Sequence, residues 1–206
     1  MNIAIITEGV SEYRSIPLLY PQLNRRSGNR IVATMRVNVS PLAPDKVIAH
    51  KCAPLLVAAK AKSAERVVVL LDREQRDECA GDIASSLEFA ISARSPGPII
   101  CVVLKDRTYE NWLLADVDAL AAQPGRFRLT QGLVKAVQPD RADSCTGIQL
   151  LGKAAIKVPY SKVEDSVRIC RKMDLGRASQ HSRSLRRFLR IIDDAAYLEQ
   201  SRLPVS

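Results

Sequence analysis

Three acidic positions, Glu8, the pair Asp72 and Glu74, and Glu110, each fall shortly after an aliphatic run of strand character. The runs are Met1 to Thr7, Arg66 to Leu71 and Ile99 to Leu104. If these strands lie parallel in one sheet, their carboxyl ends stand side by side, and acids far apart in sequence meet at one crevice. Two carboxylates ~4 Å apart repel by about 4 kcal/mol at an effective dielectric of about 20, so such a group needs a shared proton or a divalent cation. Mg²⁺ suits the donors because it is a hard ion that takes oxygen ligands and retains waters, with Mn²⁺ as its substitute. No His or Cys stands near these motifs to suggest zinc. Beside a phosphate, the ion would neutralise charge and position an attacking or leaving oxygen. The same acids could instead cap helices or pair with neighbouring arginines, and their spacing alone leaves both readings open.

The elements that must position them alternate. After the first strand, Ser11 is a candidate cap for a helix whose apolar face is Ile16, Leu18, Leu19 and Leu23, with Pro17 making its start irregular. Ile31 to Val39 alternates apolar and polar residues as an exposed or edge strand would, and Pro41 and Pro44 close it. Helical spacing marks Val47 to Ala61, Ala80 to Ala93 and Tyr109 to Leu120, and Pro96-Gly97-Pro98 turns the chain into the last strand. Strands alternating with helices predict an α/β fold with a mostly parallel, Rossmann-like sheet, spanning residues 1–122. Past Ala121 the strand signal stops. Residues 123–206 read as a helical, basic extension packed on that core, with Ser161 to Met173 and Ser182 to Tyr197 the best helices and Leu185, Phe188, Leu189 and Ile192 on the buried side of the latter.

The chain has 206 residues and a formal net charge of +9. Residues 1–120 carry 15 basic against 14 acidic side chains, and residues 121–206 carry 16 against 8, so the excess is C-terminal. A localised basic field predicts an anionic polymer partner, DNA or RNA. Arg183, Arg186, Arg187 and Arg190 fall where they can follow a phosphate backbone, although a solvated helix face would look the same. Five cysteines without a C-x-x-C pair argue against a disulfide framework and a zinc ribbon, which predicts a reducing, cytoplasmic setting. The N-terminus lacks the basic region of a signal peptide, and the longest aliphatic run, Val67 to Leu71, is far short of the ~20 residues a membrane span needs, so no membrane partner is expected.

Strand-Glu8-Gly9 followed by strand-Asp72-x-Glu74 resembles the TOPRIM domain of primases, topoisomerases and OLD-family nucleases. Glu8-Gly9-x-x-Glu12 is similar to the form found in its nuclease branch. The segment Tyr109-Glu110-Asn111-Trp112-Leu113-Leu114-Ala115-Asp116 resembles a signature of small TOPRIM-like proteins associated with defence ATPases, as do Tyr160-Ser161-Lys162 and Ser184-Leu185-Arg186-Arg187-Phe188. The resemblance implies that Glu8 is a general acid/base or a metal ligand, that Asp72 and Glu74 are metal ligands, and that Glu12 joins their shell. It further implies that Glu110 and Asp116 serve a second metal or organise the site, and that Lys162 stabilises the charge of a pentacovalent phosphate. Many TOPRIM domains have Asp where this chain has Glu74, and the added methylene alters metal geometry.

The expectation that results is a Mg²⁺-dependent phosphodiesterase, an endonuclease acting in anti-phage or mobile-element defence. A non-catalytic sensor or effector subunit of a partner ATPase is the alternative, and an enzyme acting on a free nucleotide or small phosphate ester is a third. The segment Gly147 to Lys153 matches the start of a phosphate-binding loop, but Ala154 replaces the needed hydroxyl and no strand precedes it. His50 and His181 lack ligand partners at suitable spacing, Trp112 reads as core, and 4% aromatic residues leave little for base stacking.

Overall fold

The computed structural model describes residues 1–94 and 97–193. Among them, four strands form one parallel sheet: β1 (Asn2–Thr7), β2 (Arg30–Arg36), β3 (Arg66–Asp72) and β4 (Ile99–Lys105), in the order β2-β1-β3-β4. The crossovers carry α1 (Val10–Ser15) and α2 (Tyr20–Ser27), then α3 (Asp45–Ala61), then α4 (Ala80–Ser92). After β4 come α5 (Tyr109–Ala115), α6 (Val117–Ala121), α7 (Gln131–Val137), α8 (Gly147–Ala154), α9 (Lys162–Cys170), α10 (Leu175–Ser179) and α11 (Arg183–Asp193). The sheet order reverses between β1 and β3, the switch point at which open α/β sheets form a crevice beyond their carboxyl ends.

The strand residues divide between two faces as a period of two requires. Ala4, Ile6, Val67, Val69, Leu71, Val102 and Leu104 pack with Ile48, Cys52 and Leu56 of α3 and with Ile83, Leu87 and Ile91 of α4. Ile3, Ile5, Val68, Leu70, Cys101 and Val103 belong to a second cluster that runs on through Leu23, Trp112, Leu151, Ile169, Phe188 and Ile192. This second cluster continues past residue 122, so helices of residues 123–193 pack on the sheet. Trp112 is buried within that cluster, with its ring centroid 5.3 Å from that of Phe188 and its Nε1 donating to Ser184 Oγ at 2.7 Å.

Local differences from the sequence expectation have physical causes. Ser11 does not cap α1. Gly9 stands at that position and Ser11 lies buried inside the helix, while Pro17 sits in the 3₁₀ turn Ile16–Leu19 that separates α1 from α2. The expected Tyr109 to Leu120 helix breaks at Asp116 (φ −106°, ψ 83°), which ends α5 and precedes α6. In agreement with the sequence, the Gly147 to Lys153 segment is no phosphate-binding loop and forms most of α8. Pro96 of the expected turn and Tyr197 of the expected last helix lie outside the described residues.

Candidate functional site

Glu8 directly follows β1, Asp72 ends β3, and Lys105 ends β4 as the register partner of Asp72. A Glu8 carboxylate oxygen accepts from the backbone N–H of Asp72 at 2.7 Å, joining the two strand ends across the switch point. Glu12 reaches the same place from the first turn of α1, which Gly9 precedes at the N-cap. Its carboxylate folds back against that glycine, and a Cβ there would lie 2.0 Å from Glu12 Oε2. Gly9 has φ −88°, open to any residue, so a larger residue there would meet the end of the Glu12 side chain and no backbone restriction.

Glu8, Glu12 and Asp72 each offer a carboxylate oxygen within 4.8 Å of the others. At their centre lies a group that the sequence reading missed. Lys105 is wholly buried; its Nζ donates to Glu12 Oε1, lies 2.9 Å from Asp72 Oδ1 and 3.7 Å from Glu8 Oε1, and stands 5.6 Å from the centroid of the Tyr109 ring. Burial by itself would lower the lysine pKa, but Asp72, Glu12 and Glu8 outweigh it and hold the ammonium charged. The acids respond in the opposite sense. Burial pushes Glu8 up to about 8 against the pull of Lys105, with Asp72 adding to the rise, and burial likewise raises Asp72. Glu8 Oε2 is buried without a hydrogen-bond partner on a side chain only 9% exposed.

The other sequence-predicted acids do not join this trio. The Asp-x-Glu spacing puts two acids on one face only while the chain stays extended. Here β3 stops at Asp72 and Glu74 takes a left-handed conformation (φ 55°), its N–H donating to the carbonyl of Arg107, itself left-handed (φ 65°). Glu74 thus lines a neighbouring cleft of about 650 Å³ with Arg73, Arg76, Asp106, Arg107 and Arg183. Glu110, buried in the first turn of α5, faces Lys162 at 3.7 Å; burial raises Asp72 and the nearby half-buried Tyr160, and Glu110 adds to both rises. Asp116 is remote in role. Its carboxylate takes two bonds from Arg177, at 3.0 and 2.8 Å, and one from the N–H of Asp174 at 2.7 Å.

The arginines of α11 also differ from one another. Arg186 forms a two-pronged pair with Asp140 at 2.9 and 3.0 Å and donates to Ser179 O, which ties it to the fold. Arg183 is 79% exposed and touches Asp106 at 3.4 Å, Arg190 is exposed, and Arg187 is half-buried. No helix among the described residues is long and apolar enough to cross a membrane.

The oxygen-only donor set fits a hard divalent cation, and the unpartnered Glu8 Oε2 is the atom whose burial such an ion would offset. No curated protein and no solved structure matches the chain. Residues 7–193, from the end of β1 to the end of α11, match the family described as a domain of unknown function (DUF4276), and the chain belongs to that family.

Proposed function

We propose that the protein is a TOPRIM-like, Mg²⁺-dependent phosphodiesterase of the cytoplasm, an endonuclease acting on DNA or RNA in anti-phage or mobile-element defence. The observation that carries the reading is the meeting of Glu8, Glu12 and Asp72 at the switch point of a parallel sheet, with Glu8 Oε2 buried and unpartnered. These three residues would hold the ion, which when bound supplies charge neutralisation at a phosphate oxygen and acidifies a bound water. Glu8 would serve as one of its ligands or exchange a proton at the unpartnered oxygen. Lys105 holds the carboxylates of Asp72 and Glu12 in place. Lys162, 56% exposed beside Glu110, is free enough to offer its ammonium to the charge that grows on a phosphate under attack. Of the α11 arginines, Arg183 and Arg190 are exposed on the surface that a polyanion would meet, and Arg186 pairs with Asp140.

One observation favours the alternative, a non-catalytic sensor or effector subunit of a partner ATPase: Lys105 already satisfies much of the acidic charge from within the chain. The two readings separate on purified protein incubated with supercoiled DNA, linear DNA and a structured RNA, with Mg²⁺ or Mn²⁺, beside Asp72→Ala. Metal-dependent cutting that vanishes in the variant is the expected result. Absence of cutting on every substrate would overturn the enzyme reading in favour of the subunit.

A further inference from the structure

Lys105 cannot withdraw from the acids around it. Its backbone is locked into the sheet opposite Asp72, its side chain has no exposure, and the Tyr109 ring lies beside the ammonium. A permanent cation at this point changes how much further positive charge the site can take. A metal ion displaces the protons of its ligands, and three carboxylates stripped in that way together with one ammonium carry −2, which one divalent ion brings to zero. A second ion would take the site to +2 with Lys105 in place but only to +1 without it, and in a buried site each uncompensated charge is costly.

The remaining acids give no shelter to a second ion. Glu110 faces Lys162, Asp116 is held by Arg177, and the left-handed backbone at Glu74 carries that residue into the adjoining cleft. Glu8 Oε2, nine-tenths buried and unpartnered, is the atom still short of a positive neighbour.

We infer that the Lys105 ammonium holds the place of one metal ion, so that the Glu8–Glu12–Asp72 cluster takes one divalent cation fewer than the same acids would without it. The inference rests on the metal reading proposed above and deepens it, since it makes the site a one-ion centre with a built-in second cation.

The test is the number of Mn²⁺ ions bound per full-length chain, counted by the loss of free Mn²⁺ signal in electron paramagnetic resonance, for the wild type and for Lys105→Met. One ion in the wild type and two in the variant is the expected result. Equal numbers in both, or two ions in the wild type, would overturn the inference. One ion in each chain would do so while leaving the phosphodiesterase reading standing; none in the wild type and one in the variant would do the reverse. Should Lys105→Met not fold, Lys105→Gln, which keeps a hydrogen-bond donor toward Glu12 and Asp72 but carries no charge, takes the same count: two ions are expected, and one would overturn the inference.

Discussion

Asp72 and Lys105 are register partners at the carboxyl ends of β3 and β4, and their side chains meet at 2.9 Å with no exposure on the lysine. Because the sheet itself sets this pairing, the ammonium and the acids are buried as a unit. Taking away one member of a buried charge pair typically costs about 3–5 kcal/mol, because the other is left uncompensated. Lys105→Met is therefore expected to lose about that much stability in urea denaturation at pH 7.5 with chelator present. The loss should shrink toward pH 5, where the acids can protonate instead of standing charged in a dry site. A variant as stable as the wild type at pH 7.5 would mean that the acids are not ionised around Lys105.

Glu8 gives a pH dependence whose sign is unusual for a carboxylate. Its pKa rises from the ordinary 4.5 to about 8 on folding, so between these values the folded chain holds a proton that the unfolded chain has released. Stability then falls as pH rises through the window from 4.5 to about 8, by at most about 5 kcal/mol if the whole shift belonged to Glu8 alone. Asp72 adds to the same slope, since burial raises it too. In metal-free protein, the difference in melting temperature between Glu8→Gln and the wild type should move in favour of the variant from pH 5 to pH 8. A difference that stays flat would mean that Glu8 is ionised throughout.

The sequence carried the order of the elements and the convergence of Glu8 with Asp72, because both follow from aliphatic runs and strand ends. It did not carry Lys105. A lysine closing the run Ile99 to Leu104 looks like any solvated strand end, and only the register with Asp72 shows that it points inward. Glu74 was misplaced for the opposite reason: alternation puts it beside Asp72, but the strand ends one residue too early and the backbone turns left-handed. Asp116 looked like part of a motif, while its partner Arg177 lies 61 residues on in a short helix without a strong pattern. The lesson for the arginines is similar, since helical spacing shows that Arg183 and Arg186 share a region but not that Asp140 has claimed one of them.

Asp116 and Glu74 therefore make a paired prediction. Asp116→Ala leaves the N–H of Asp174 unsatisfied and frees Arg177, which is 45% exposed and can turn to water, so the expected cost is about 2 kcal/mol of stability. Glu74→Ala, in the cleft, is expected to change stability little. Neither substitution should alter Mn²⁺ affinity more than threefold, roughly 0.7 kcal/mol. Titration calorimetry of both variants against Asp72→Asn checks this, and a tenfold loss in either single variant would return that acid to the metal shell.

Gly9 offers a steric handle on the same site. At φ −88° an alanine meets no backbone strain, yet its Cβ would fall 2.0 Å from Glu12 Oε2 and 2.9 Å from Glu12 Cδ. The glutamate has to move, and when it moves Lys105 loses the partner it donates to. Gly9→Ala should then weaken Mn²⁺ binding about tenfold, or 1.4 kcal/mol, and lower the melting temperature. If the cause is this collision, shortening the glutamate removes it: adding Gly9→Ala to a Glu12→Ala chain should cost far less than adding it to the wild type. A double-mutant cycle reads that difference directly, with a coupling of about 1 kcal/mol or more expected for groups in contact. Strict additivity would show that the alanine acts through the helix start and not through Glu12, and would separate the local fold of α1 from the charge balance around Lys105.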